Sequence, residues 1–302
     1  MTRDAVTGAF GFSGRHIAAR LLERGREVVT LTNHPDRPDP FGGRVHVRPL
    51  AFDDAASLAD GLRGVDTLYN TYWMRLERRG VTFADAVRNS KALFRAAGSA
   101  GVRRIVHVSI ANADRAPHLP YYRGKAQVED ALKATGIGHA ILRPAVLMGD
   151  EPMLINSIAW MLRHLPAFGI PGDGRYRIQP IHVDDLAQLA TELADADGDV
   201  AIDAAGPEQF TFDEFLKRIC TAVGSRALLI RVPPVAALLA GRGLGLLLRD
   251  VVITREELIG LTENLLMSAE PPRGTTRFTD WLAGAAPWLG RRYASELRRH
   301  FG

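Results

Sequence analysis

The stretch that most constrains this chain is TGAFGFSG, Thr7–Gly14. It sets Gly8, Gly11 and Gly14 three residues apart, directly after a short β-rich run at 5–7 and at the head of a helical pattern, SGRHIAARLLERG. Glycine there lets the backbone turn sharply and approach an anion with no Cβ in the way, and the helix N-terminus offers N–H groups and positive dipole to it. A strand, a glycine loop and a helix in that order predict a βαβ unit that grips the diphosphate of a dinucleotide through Gly8, Phe10, Gly11, Phe12, Ser13 and Gly14. The plain alternative is a structural turn.

The chain downstream keeps this rhythm. Further strand-like runs fall at 27–32, 44–47, 66–70, 104–109 and 139–144, separated by helical-period segments, several of which end in glycine. The alternation predicts an α/β fold, a Rossmann-type doubly wound parallel sheet, with a smaller, mostly helical C-terminal substrate region. The boundaries expected are 1–150 for the dinucleotide-binding core, with 178–205 returning to it, and 151–177 plus 206–302 for a substrate or lid region packing over the crevice. Within the latter, 169–177 reads as a Gly/Pro loop and the chain after Gly206 as helix punctuated by prolines.

The second strand-like run ends in Thr32, Asn33 and His34, with Asp36 and Arg37 just beyond, and carries no carboxylate at its tip. An acidic residue there would bind the ribose hydroxyls of NAD. Arg37 or Arg15 can instead meet a 2′-phosphate, so the balance leans to NADP, while Asp36 keeps NAD open.

Only four lysines occur, and one of them, Lys125, lies four residues after Tyr121 in YYRGK. On a helix this spacing puts both side chains on one face. A phenol with a pKa of ~10 is a poor acid or base near neutrality. An ammonium about 5 Å away is worth roughly 3 kcal/mol at an effective dielectric of 20, about two pKa units, which brings it into working range. Ser109 closes the fifth strand-like run, where its hydroxyl can hold a substrate oxygen as it changes between carbonyl and alkoxide. Each residue alone also reads as ordinary surface or capping chemistry.

Together, TGAFGFSG, Asn89 in the VRNSKALFRAA helix, Ser109, Tyr121-x-x-x-Lys125, LRP at 142–144 and HVDDLA at 182–187 resemble the short-chain dehydrogenase/reductase superfamily over about residues 3–205. The likeness is to its extended and atypical branches, the NAD(P)-dependent epimerase/dehydratase and NmrA-like groups, which include the NAD(P)-binding accessory subunit of respiratory complex I. The resemblance implies acid/base work for Tyr121, ribose contact and pKa lowering for Lys125, the substrate oxygen for Ser109, and support of a proton-relay water for Asn89. It places Arg143 and Pro144 beside the nicotinamide and Arg177 near the substrate, while Asn33, His34, Arg37, Asp53 and Asn70 are further candidates for cofactor contact. Two departures stand out. Asn70, Thr71, Tyr72 and Trp73 replace the His-x-Ala-Ala segment of sugar-nucleotide epimerases, so that Tyr72 and Trp73 reshape the substrate floor. PLAF at 49–52 replaces an acidic adenine contact and leaves backbone N–H groups and Asp53 as the candidates. The function expected is NAD(P)-dependent hydride transfer, of oxidoreductase or epimerase type, on a small-molecule carbonyl or alcohol. The alternative is a non-catalytic NAD(P)-binding regulator or assembly subunit.

Composition narrows the rest. With 38 basic and 34 acidic residues, the net charge of +4 is small for 302 residues and makes a weak case for nucleic acid. One cysteine, Cys220, precludes an internal disulfide and suits a reducing, cytoplasmic setting, and the N-terminus shows no apolar signal core. No metal site is expected: His182, Asp184 and Asp185 read as the charged start of a helix. Residues 233–253 are apolar but broken by Arg242, Arg249 and Asp250, which argues against an integral span and leaves peripheral membrane contact open. The C-terminal segment, with Arg277, Arg291, Arg292, Arg298 and Arg299 among Trp281, Leu282, Trp288 and Leu289, reads as a helix with a basic solvated face.

Overall fold

The computed structural model describes residues 2–78, 80–295 and 297. In its first half, strands and helices alternate as β1 (Arg3–Thr7), α1 (Phe12–Glu23), β2 (Glu27–Thr32), β3 (Val45–Pro49), α2 (Ala55–Gly61), β4 (Val65–Asn70), α3 (Phe83–Ser99), β5 (Arg104–Val108), α4 (Pro120–Lys133) and β6 (Gly138–Pro144). Then come β7 (Val146–Met148), α5 (Met153–His164), β8 (Ala167–Pro171), β9 (Arg177–Ile178), β10 (Pro180–His182), α6 (Val183–Ala194) and β11 (Val200–Ala204). The chain continues with β12 (Phe210–Thr211), α7 (Phe212–Ala222), β13 (Leu228–Val232), α8 (Pro234–Leu248), α9 (Arg255–Thr262) and α10 (Phe278–Ala285).

Two compact units divide this chain. The first comprises Met1–Pro144 and Val183–Ala204. Its seven strands form one parallel sheet in the order β11-β6-β5-β4-β1-β2-β3. β5 is buried along its whole length and β1, β2 and β4 nearly so, as expected for strands covered by helices on both faces. β3, at the edge, is exposed beyond Val45. Leu31, Leu58, Leu68, Phe94, Ile105 and Val128 belong to one core cluster. α3 starts on a capping box, Thr82 with Asp85, which fixes where its buried face begins. The strand order reverses between β1 and β4, so the crevice of such a sheet opens beyond the carboxyl ends of these two strands.

The second unit comprises Ala145–His182 and Ala205–Gly302. It holds three two-stranded pairs, β7 with β10, β8 with β13 and β9 with β12. Its core gathers Ile155, Leu162, Phe212, Phe215, Ile219 and Phe278. Residues 169–177 are therefore not all loop, since β8 runs to Pro171 and pairs in parallel with β13. The region after Gly206 likewise contains two strands that the helical pattern hides. In the C-terminal segment α10 ends at Ala285, and Arg298 and Arg299 lie outside the described residues. No helix among the described residues is long and apolar enough to cross a membrane.

Candidate functional site

At the end of β1 the chain turns through Gly8, at φ +66°, a conformation glycine adopts without strain. The Gly8 amide donates to the Leu31 carbonyl and its own carbonyl accepts from Gly11, at 2.9 and 2.8 Å. A Cβ on Gly14 would strike the Gly8 carbonyl oxygen well inside van der Waals contact, and one on Gly11 would lie 3.1 Å from it. Close passage of loop and helix thus requires glycine at position 14, the backbone conformation favors it at position 8, and a Cβ at position 11 would be a tight fit. No side chain caps α1, so the first-turn amides of Ser13 and Gly14 are donors of the kind a diphosphate accepts from. The loop therefore fits a dinucleotide. Phe10 packs near Phe41, and Phe12 near His16.

Asn33 and His34 are exposed beyond β2, and Asp53 is exposed ahead of α2. Arg37 reaches back over the loop, with Nη1 4.0 Å from the position a Gly11 Cβ would take. Of the charged residues after β2, it is the one this geometry ties to the glycines.

Thr7 has a part that its sequence position does not announce. Its hydroxyl accepts from the amides of Thr71 and Tyr72 at 2.8 and 3.0 Å and donates to Asn70 Oδ1 at 3.2 Å, while Thr71 Oγ1 donates to the Thr7 carbonyl at 2.6 Å. These bonds lock β1 to β4 at the reversal point. Asn70, expected beside the cofactor, is instead fully buried in this network, with Nδ2 donating to His107 Nδ1 at 3.1 Å. That bond leaves the His107 proton on Nε2, which has no hydrogen-bond partner among the described residues. Burial and the nearby Lys125 charge push the imidazole down to a pKa of about 3, so it stays neutral.

Tyr121 and Lys125 do share a face of α4, and Trp73 covers part of it. The indole meets the Tyr121 ring edge-on at 5.8 Å and stacks with Phe83 at 6.0 Å. It also packs on Gly124, where a Cβ would come within 2.9 Å of it. Lys125 Nζ sits 4.7 Å from the center of the Trp73 ring and donates to the Val108 carbonyl at 3.0 Å. Burial pulls Lys125 down to about 7, against the upward pull of Glu129.

Ser109 follows β5, and its hydroxyl donates to Glu129 Oε1 at 2.6 Å. Glu129 is buried on α4 and takes a two-pronged contact from Arg143, Nε at 3.0 Å and Nη2 at 2.5 Å. Ser109 and Arg143 are therefore joined through a carboxylate that the sequence reading did not single out. Its position four residues after Lys125, on the same helical face, is the signal that could have found it. Pro144 ends β6, and its carbonyl accepts from Ala111. Asn89 donates to the Tyr72 hydroxyl at 3.0 Å rather than presenting a bare amide to water, and Tyr72 packs on Phe52. Arg177 belongs to the second unit, exposed at the start of β9, with its guanidinium 3.5 Å from Gln209.

A family model described as NAD(P)H-binding matches residues 8–197. The chain belongs to the NAD(P)H-binding family. Its sheet order and glycine loop are those of a Rossmann-type dinucleotide-binding fold. It is 26% identical over 247 residues to the mitochondrial NADH dehydrogenase (ubiquinone) 1 alpha subcomplex subunit 9 of Arabidopsis thaliana, covering 78% of this chain and 61% of the relative. It is 30% identical over 156 residues to a (4-alkanoyl-5-oxo-2,5-dihydrofuran-3-yl)methyl phosphate reductase of Streptomyces griseus, covering 51% and 49%. The chain spans about three fifths of the length of the mitochondrial relatives. Among solved structures, the Citrobacter sp. triphenylmethane reductase complexed with NADP(H) matches 95% of this chain and 100% of that one, with TM-score 0.76 and 17% identity. The Escherichia coli NADPH-dependent quinone oxidoreductase QOR2 matches 93% and 98%, with TM-score 0.75 and 20% identity.

Proposed function

We propose that this NAD(P)-binding chain is an oxidoreductase that prefers NADP(H), transfers hydride to or from a small-molecule carbonyl or alcohol, and uses Tyr121 as proton donor and acceptor. The observation that carries the reading is the pairing, within one unit, of a glycine loop overlooked by Arg37 with Tyr121 and Lys125 on one face of α4. The bound nicotinamide supplies the hydride chemistry. The protein's own task is then to move a proton. A lysine with a pKa near 7 exchanges protons readily at neutral pH, and its charged form stabilises a neighboring phenolate. Ser109 has a narrower role than the family resemblance implies. With its proton given to Glu129, it accepts a hydrogen bond from a substrate hydroxyl but offers none to a carbonyl or alkoxide. This favors contact with the alcohol form of the substrate.

A second reading, an NAD(P)-binding accessory or regulatory chain without turnover, is supported by the indole over Lys125 and by the engagement of Ser109 and Arg143 with Glu129. The two are separated by pairing calorimetry of NADPH and NADH with a hydride-transfer assay over a panel of quinones, aldehydes and ketones. The enzyme reading expects turnover that falls at least about 100-fold in Tyr121→Phe while NADPH affinity changes less than about threefold. Binding without turnover in the wild-type protein establishes the second reading. Loss of turnover and cofactor affinity together in the variant removes Tyr121 from the proton role.

A further inference from the structure

The second unit carries a surface that the cofactor chemistry does not use. From Gly224 to Arg249 the chain has four charged residues, Arg226, Arg231, Arg242 and Arg249, and no Asp or Glu. This run alone matches the +4 net charge of the whole chain. Arg231 lies 4.0 Å from Asp213, whereas Arg226, Arg242 and Arg249 have no ion pair among the described residues. Asp250, which closes the run, is buried and accepts from the Tyr293 hydroxyl.

Within this run α8 is apolar but for Arg242, yet Gly245 is its one buried residue. Its inner side is shaped by glycine. A Cβ on Gly241 would collide with Ile253 and one on Gly245 with the Asp250 carbonyl, which brings the helix down onto the 250–253 segment. Its outer side exposes Val235 at 67%, Leu239 at 61%, Leu246 at 83% and Leu247 at 80%. At 3.6 residues per turn, Val235, Leu239 and Leu246 form one stripe with Arg242 at its edge, and the exposed Arg249 caps the C-terminal end of the helix in the left-handed conformation. On β13, Leu228 and Ile230 are also exposed, at 65% and 46%.

We propose that α8 is a docking helix for an anionic lipid surface. A leucine stripe beside unpaired arginines fits the boundary between acyl chains and headgroups, because the long arginine stems lift the charge to the phosphates while the leucines sink below. The 15-residue helix is about 22 Å long, short of the ~30 Å hydrocarbon core, so it lies on the surface and does not span it. A second copy of the chain is a poorer occupant. A two-fold contact through this stripe would set unpaired arginines against their like.

Flotation of the full chain with vesicles tests this. Vesicles of phosphatidylcholine containing about 30% phosphatidylglycerol are compared with phosphatidylcholine alone, at low and high salt. Binding is expected to be at least about tenfold stronger on the anionic vesicles and to weaken with salt. Joint Leu246→Ser and Leu247→Ser substitution should lower it at least about tenfold on both compositions. Joint Arg242→Gln and Arg249→Gln substitution should lower it about 30-fold on anionic vesicles only. All four side chains are outward, and a far-ultraviolet circular dichroism spectrum and thermal unfolding midpoint unchanged from the wild-type chain verify the fold of each variant. No flotation of the wild-type chain, or equal flotation of the leucine variant, overturns the proposal. So does a dimer, seen by light scattering, that the leucine variant dissolves in the absence of vesicle binding.

Discussion

A hydroxyl that gives its proton to a buried carboxylate is committed as a donor, and the Ser109, Glu129 and Arg143 chain holds together on that commitment. Replacing Glu129 with glutamine leaves Arg143 without its counter-charge in a half-buried place. The expected cost is about 2–3 kcal/mol, below the value for a fully buried pair because water still reaches the guanidinium. Ser109→Ala removes one hydrogen bond to a buried carboxylate and should cost about 1.5 kcal/mol. Urea unfolding of the two variants measures the difference, and equal costs would mean that the charge contributes nothing to the link. Arg37 makes the other residue-scale prediction. If its guanidinium meets the 2′-phosphate, Arg37→Gln should weaken NADPH about tenfold or more and leave NADH within about twofold, as read by calorimetry. An equal loss for both cofactors would assign Arg37 to the loop itself.

α4 shows how one element serves fold and chemistry at cross purposes. Its face carries Tyr121, Lys125 and Glu129, and the lysine is buried with its amine on the Val108 carbonyl. Because its folded pKa, about 7, lies below the ordinary 10.5, the native chain holds fewer protons than the unfolded chain between those values. Stability therefore rises with pH across this window, and the full penalty is present below pH 7. Lys125→Met should stabilise the protein by a few kcal/mol near pH 6, with the gain shrinking toward pH 10. Thermal unfolding at pH 6.5 and 9.5 decides it: a gain that does not depend on pH would show that desolvation of this amine is not its source. The strands and helices of the first unit could be read from the sequence because buried parallel strands make short runs rich in β-branched and apolar residues between helices that often end in glycine, as at 27–32, where β2 begins and ends at the expected residues. β8 and β13 could not. They are short, pair only with each other, and β13 exposes Leu228 and Ile230, so their apolar residues carry no inward pattern. The spacing of Tyr121 and Lys125 was visible as a helical repeat. Thr7 was not, since its partners lie 62 or more residues away, and although Glu129 shares the lysine's helical spacing, its link to Ser109 and Arg143 spans 14 or more residues.

At the scale of the molecule, every residue assigned here to cofactor and proton chemistry, from Gly8 and Arg37 to Ser109, Tyr121 and Lys125, belongs to the first unit. That unit is discontinuous, since α6 and β11 return to it after Ala145–His182, with β11 completing the sheet beside β6. Ending the chain at Pro144 would strip β6 of its neighbor and α1 of α6, leaving an open apolar edge prone to aggregation. Joining residues 2–144 to 183–204 keeps the sheet whole. The register of β7 with β10 pairs Met148 with His182, so Pro144 and Val183 are about 22 Å apart at most, and a flexible linker of about eight residues spans the gap. The joined unit should unfold cooperatively and bind NADPH within about tenfold of the full chain by calorimetry. A folded unit with no measurable affinity would mean that the second unit supplies part of the cofactor site. A unit that does not fold would show that its core is too small to stand without the other.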